Sequence, residues 1–304
     1  MSRLSLVADV GGTNTRVALA DGINIRHDSV RRFINARHTG IASLMELFLS
    51  ESGERVDGAC VAVAGPVANG MGRLTNLDWG IDRAQLAAVT GAGVTAVIND
   101  LQAQGFALGH IPLRQIIAGR VAMDTSSQLV VGVGTGFNSS PVSRTEHGVI
   151  VLPSETGHVT LPVRTEDQAR VARHIEGIHG IATVEEVLSG RGMTAIHTCL
   201  TGTPRPTSEL IPLIGQDEAA TATARLFVEF LGSVVGNLAL THLPFGGIAL
   251  CGGMSRALAP HLGALGFAEA MHDKGRFSDF VEAFPVSVVE DDYAALTGCA
   301  ASLR

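Results

Sequence analysis

Asp9-Val10-Gly11-Gly12-Thr13-Asn14-Thr15-Arg16 is the stretch on which the reading of this chain turns. An apolar run, Leu4 to Ala8, precedes it, and another, Val17 to Ala20, follows. Apolar runs that short, bounded by glycines, predict buried strands joined by a tight turn. Two adjacent glycines let backbone N–H groups converge on an anion, because no side chain blocks the approach. The acid before the turn can reach a metal on that anion, and a hydroxyl and a guanidinium after it can add donors. The stretch reads as a phosphate site between two hairpin strands. The plainer alternative is a glycine hairpin that happens to carry an acid.

The motif has echoes further along. Leu129–Val133 reads as a second apolar strand and ends in Gly134-Thr135-Gly136, with Phe137-Asn138 after it. A third strand, Ile248–Leu250, runs into Gly252-Gly253. Two strand–glycine-turn units facing one another would hold a polyphosphate from both sides, and the third turn would support a base and ribose. Around the first unit the pattern predicts strands at Arg16–Ala20, roughly Ile25–Phe33, Val56–Ala64 and Val94–Ile98. Helices are expected over Ile41–Glu51, over Arg83–Thr90 behind an Asp82 N-cap, and from Leu101 to about Leu108. From Glu166 the pattern turns helical: about Glu166–Ile175, Val184–Leu188, Met193–Leu200, Asp217–Leu240 and Leu258–Ala270. A last strand, Val286–Val289, precedes a helix from Tyr293 onward.

Composition narrows the class. A chain of 304 residues, 46% hydrophobic with 36 glycines, suits a two-domain α/β enzyme rich in glycine turns. The net charge of −7 gives no reason to expect nucleic acid or an anionic membrane as partner. No apolar run reaches membrane-spanning length, and Asp9 arrives too early for a signal peptide. Cys60, Cys199, Cys251 and Cys299 are scattered, as expected of reduced thiols in a cytoplasmic protein rather than of a zinc site. Lys274 is the only lysine, which excludes a Walker-type phosphate loop. Gly-x-Gly-x-x-Gly, His-Glu-x-x-His and Gly-x-Ser-x-Gly are all missing, so dinucleotide, zincin and serine-hydrolase readings lose their usual support.

Two further clusters carry chemistry. Asn99-Asp100 ends an apolar strand, where a carboxylate can take a proton from a hydroxyl attacking phosphorus. The pair reads equally as an Asx turn or helix N-cap. Glu155-Thr156-Gly157-His158 places an acid and an imidazole in one loop, and Glu185 and Glu186 start a short helix. Carboxylates, an amide and an imidazole suit the neighbouring hydroxyls of a sugar. Glu185 taken alone is also an ordinary helix-dipole residue.

With these segments in order, the chain resembles the bacterial glucokinase family of the actin-like ATPase (ribonuclease H-like) superfamily. The resemblance runs through Asp9–Arg16, Leu74-Thr75-Asn76…Trp79, Ile98-Asn99-Asp100, Gly134-Thr135-Gly136 and Glu155…His158. It continues through Glu185…Gly190, Cys251-Gly252-Gly253, Asp273–Phe277 and Leu296-Thr297-Gly298. It implies a two-domain α/β fold with a central cleft: a small domain of 1–109 plus 293–304, and a large one of 110–292. It implies that Ala8, Asp9, Val10, Gly11, Gly12, Thr13, Gly134, Thr135 and Gly136 hold the ATP phosphates. Asp9 stands on the Mg²⁺ side, through water, and Gly252 and Gly253 lie beside the adenosine. Asn99, Asp100, Glu155, His158 and Glu185 would bind glucose or a related hexose, with Asp100 as general base for phosphorylation of the 6-hydroxyl. A cytoplasmic homodimer is implied as well.

The chain departs from the family pattern at two loops. Gly-Glu-Gly-Gly-His becomes Ser154-Glu155-Thr156-Gly157-His158, and Gly-Thr-Gly-Leu-Gly becomes Gly134-Thr135-Gly136-Phe137-Asn138. These changes leave open a kinase for mannose, fructose or an amino sugar, or a non-catalytic sugar or nucleotide sensor of the same fold.

Overall fold

Strand β1 (Leu4–Val10) shows why its sequence is a continuous apolar run: both of its faces are covered. Leu6, Ala8 and Val10 face one cluster, packed against Ile41, Leu44, Met45 and Phe48. Val7 faces a second, with Ala18, Cys60, Leu296 and Cys299. The computed structural model describes residues 3–74, 77–119 and 126–304. It divides into two compact units, Met1–Pro112 with Asp291–Arg304, and Leu113–Glu290.

In unit 1, β1 is followed by β2 (Asn14–Asp21), β3 (Asn24–Ile25), β4 (Arg31–Ile34) and helix α1 (Ile41–Ser52). Next come β5 (Gly58–Val63), β6 (Val67–Ala68), β7 (Met71–Arg73), β8 (Gly80–Asp82), α2 (Arg83–Thr90), β9 (Val94–Asn99) and α3 (Asp100–Ala107). The main sheet runs β3-β2-β1-β5-β9, with β4 also paired to β2; β6, β7 and β8 make a separate small sheet. β1 is antiparallel to β2 and parallel to β5, which is parallel to β9. Asp82 caps α2 in a capping box with Gln85, as its position before Arg83 predicts.

Unit 2 contains β10 (Leu113–Ile117), β11 (Ser127–Val133), β12 (Phe137–Thr145) and β13 (Gly148–Val151). The helical stretch follows: α4 (Glu166–His179), α5 (Val184–Val187), α6 (Gly190–Thr201), α7 (Thr207–Leu210) and α8 (Glu218–His242). After it come β14 (Ile248–Cys251), α9 (Gly253–Leu258), α10 (Phe267–His272), α11 (Ser278–Val281) and β15 (Val286–Val289). The sheet order is β10-β15-β14-β11-β12-β13. β11 is antiparallel to β12 and parallel to β14, which is parallel to β15. Unit 2 therefore repeats the plan of unit 1, an antiparallel meander joined to parallel strands. Among the described residues, α8 is the helix long and apolar enough to cross a membrane, and 78% of its apolar window is buried. Phe227, Phe230, Leu231 and Val235 of α8 form the centre of the unit 2 core. The last helix, α12 (Ala294–Ala301), belongs to unit 1 and covers the second face of its sheet.

The structure corrects several expected elements. The single strand expected at Ile25–Phe33 is two short strands separated by a 3-10 turn, His27–Ser29. The helix expected over Leu258–Ala270 is α9 and α10 with a turn between them. β12 has no apolar signature because its inward positions include serines: Ser139 and Ser140 are fully buried.

Candidate functional site

In unit 1 the parallel strands stop in one row. The register pairs Val10 with Val63 and Val63 with Asn99. Just beyond the carboxyl ends of such strands is where α/β sheets take ligands. Here that zone holds Gly11-Gly12-Thr13 after β1, Ala64-Gly65 after β5 and Asp100 after β9. Hydrogen bonds tie the row together: Ala64 N donates to Val10 O at 2.9 Å, and Asn99 Nδ2 donates to Gly65 O at 3.1 Å.

Asn99 caps α3. Its Oδ1 accepts from Leu101 N at 2.9 Å, and Gln102 returns the bond in a capping box. Of the two readings left open for this residue, the cap is therefore present in the structure. Asp100 is the first residue of α3, half-buried, and its Oδ1 also accepts from Leu101 N at 2.8 Å.

The side chains of Ala8 and Val10 are wholly buried, so only their backbone is available to a ligand. Asp9 alternates to the Val7 face, and its carboxyl is held above the usual carboxylate range by burial, with Arg16 opposing. Thr13 is exposed on the turn. The other donors after the turn serve the fold: Thr15 is fully buried, and Arg16 Nη1 donates to Asp292 O at 2.6 Å.

Sequence reasoning missed the residue that braces this turn. Asn35, 1% exposed, donates from Nδ2 to Gly11 O at 2.7 Å. It accepts the Thr15 hydroxyl on Oδ1 at 2.9 Å, and its own N–H donates to Thr13 O at 2.9 Å. No local motif marks it; the pairing of Asn14 with Ile34 brings it there.

In unit 2 the ends of β11 and β14 also lie side by side, with Gly132 paired to Cys251. Gly134-Thr135-Gly136 and Gly252-Gly253 therefore leave the sheet together. Gly252 has φ 95°, a left-handed value that favours glycine. Gly134 N donates to Gly136 O at 2.9 Å, closing the turn, and Gly190 N donates to Gly134 O at 3.0 Å.

Glu185, on α5, supports this turn. Its Oε2 accepts from Phe137 N at 2.9 Å, and its Oε1 pairs with Arg191 at 2.8 Å. A Cβ at residue 136 would lie 2.5 Å from Glu185 Oε2, so glycine there lets the carboxylate approach Phe137 N. The neighbouring Glu186 carboxyl is held below the usual range chiefly by its bond to Arg191. Glu155 and His158 lie exposed at a 3-10 turn, Thr156–His158, with His158 N donating to Glu155 O at 3.1 Å. Thr75 and Asn76 fall outside the described residues.

The chain is similar to known proteins along almost all of its length. A family model described as Glucokinase matches residues 6–304. A glucokinase of Brucella suis is 31% identical, over 98% of this chain and 90% of its own length. One of Erwinia tasmaniensis is 28% identical, over 100% of this chain and 98% of its own. Among solved structures, a glucokinase from an Antarctic psychrotroph superposes with TM-score 0.87 at 30% identity, covering 100% of this chain and 99% of that one. A Balamuthia mandrillaris glucokinase in complex with glucose superposes with TM-score 0.81 at 20% identity, over 100% and 94%. The duplicated sheets are thus those of an actin-like sugar kinase, and the chain belongs to the glucokinase family.

Proposed function

We propose that the chain transfers the γ-phosphoryl group of ATP to the 6-hydroxyl of glucose. The observation that carries this reading is the duplicated plan: glycine turns at the carboxyl ends of both sheets, with Asp100 in the same row as the first. A protein that only sensed a sugar would need no base beside its phosphate turn.

In this reading Asp100 orients the sugar hydroxyl and accepts its proton as the oxygen attacks phosphorus. Glu155, His158, Glu185 and Asn99 hold other hydroxyls. The amides of 11–13 and 134–136 meet the phosphate oxygens, and Gly252-Gly253 leaves room for the adenosine. Phosphoryl transfer asks a protein mainly for positioning and charge stabilisation, which fixed backbone donors supply without reorganising.

The chemistry of the donor set suits Mg²⁺. Among the described residues no three His, Cys, Asp or Glu side chains gather as a protein cage. Asp9 is a single carboxylate beside a phosphate turn, the kind of ligand Mg²⁺ takes when phosphates and water supply the rest. When bound, the ion neutralises charge on the transferring group.

The test is sugar phosphate formation with ATP–Mg²⁺ across glucose, mannose, fructose and glucosamine. Glucose should have the highest kcat/KM. Preference for another hexose would move the substrate assignment, and hexose binding without product would leave only a sensor.

A further inference from the structure

The loop carrying Glu155 and His158 is tied to the start of β12 by side chains. The β12–β13 ladder ends at Val142 with Val151, and Leu152 N adds one bond to Pro141 O at 3.0 Å. Beyond it Asn138 takes over. Its Oδ1 accepts from Thr156 N at 3.0 Å and lies 3.2 Å from the Thr156 hydroxyl. Its Nδ2 donates to Ser154 O and reaches Glu155 Oε2 at 3.3 Å. The Ser154 hydroxyl donates to Ser139 O, and the Ser139 and Thr156 hydroxyls lie 2.9 Å apart.

We propose that Asn138 is the positioning residue of this loop: with Ser154 and Thr156 it presets Glu155 and His158 for sugar before sugar arrives. Asn138, Ser154 and Thr156 in this network are the three positions at which the two loops depart from the glycines of the family pattern that the chain resembles. Glycines there would offer no side-chain bonds, and the loop would be ordered on binding. The one place in the loop where a Cβ cannot fit has stayed glycine: at residue 157 it would lie 2.1 Å from Phe137 O. Setting the loop in advance lowers the ordering cost of binding, so its effect falls on the sugar KM. The inference rests on reading 154–158 as the sugar loop.

Asn138→Ala should raise the glucose KM about tenfold, and Thr156→Val, which keeps the side-chain shape, about threefold. The double variant should be no worse than Asn138→Ala, because both act through one network. ATP KM and kcat should stay within about twofold, and the Thr156 amide should exchange faster in Asn138→Ala until glucose is added. Wild-type glucose KM with unchanged Thr156 exchange would overturn the proposal. So would a joint rise of both KM values with a fall in Tm, which marks general loosening. If the wild type phosphorylates no hexose, the kinase reading fails instead, and Thr156 exchange alone decides whether Asn138 presets the loop.

Discussion

The β1–β2 turn of unit 1 and the β11–β12 turn of unit 2 occupy the same place in the same sheet plan, yet they are braced differently. The first is held by a neutral, buried amide, Asn35, and follows an acid, Asp9, on the Val7 face of its strand. The second is held by a carboxylate, Glu185, whose charge is matched by Arg191. A neutral brace suits the first turn, because a second buried carboxylate there would push the already raised Asp9 higher still. The second turn carries no acid of its own, so a charged brace costs it little. On the proposed reading the comparison divides the labour: unit 1 would supply the reacting carboxylate, Asp100, and the second turn would supply position.

The sharpest way to break that division is Asp100→Asn. If unit 1 holds the base, kcat with ATP and glucose should fall about 10²–10⁴-fold. Glucose binding measured by calorimetry should persist, because the amide still fits the start of α3. A variant that keeps kcat near wild type would remove the base from unit 1.

The braces come next. Asn35→Ala strands the buried Thr15 hydroxyl and frees Gly11 O, which should cost about 1–3 kcal/mol of stability and raise the ATP KM. Glu185→Ala loses the acceptor for Phe137 N, whereas Glu185→Gln keeps an oxygen there and gives up only the exposed part of the Arg191 pair. The alanine variant should therefore raise the ATP KM about tenfold and the glutamine variant about twofold. Equal effects from both would mean that the charge, not the hydrogen bond, holds the second turn.

Much of this was legible in the residues. The glycine turns, the strands before them and the acid at Asp100 follow from short apolar runs ending in Gly-Gly or Asn-Asp, and such local signals survive into the structure. The braces were illegible for the opposite reason. Asn35 reaches Gly11 and Thr15 only through the pairing of β4 with β2, and Asn138 reaches 154–156 only through the course of β12. Long-range pairing leaves no periodic trace. β12 itself escaped notice because buried serines replaced the apolar alternation that marks a strand. Asn99 shows the converse: local chemistry predicted its cap, and the cap is present.

The smallest expected effect separates the units by pH. Unit 2 buries His197 on α6, with Nδ1 3.0 Å from the Thr223 hydroxyl, whereas among the described residues of unit 1 no histidine is buried. Burial pushes the His197 proton affinity below the ordinary value of 6.5, Arg205 adds to the fall and Asp217 opposes it. The unfolded chain then takes up the proton first as pH drops. The stability contributed by the neutral ring is full above about pH 6.5 and is lost as pH falls through the lower folded value. Amide protection in α6 and α8 should weaken between pH 7 and about pH 5 while the strands of unit 1 hold theirs. His197→Gln, which keeps a polar group for Thr223 and does not titrate, should reduce the response of unit 2 to the part contributed by His242 on α8, whose proton affinity burial also lowers. Parallel losses in both units, or a variant with the wild-type slope, would place the acid sensitivity outside this buried ring.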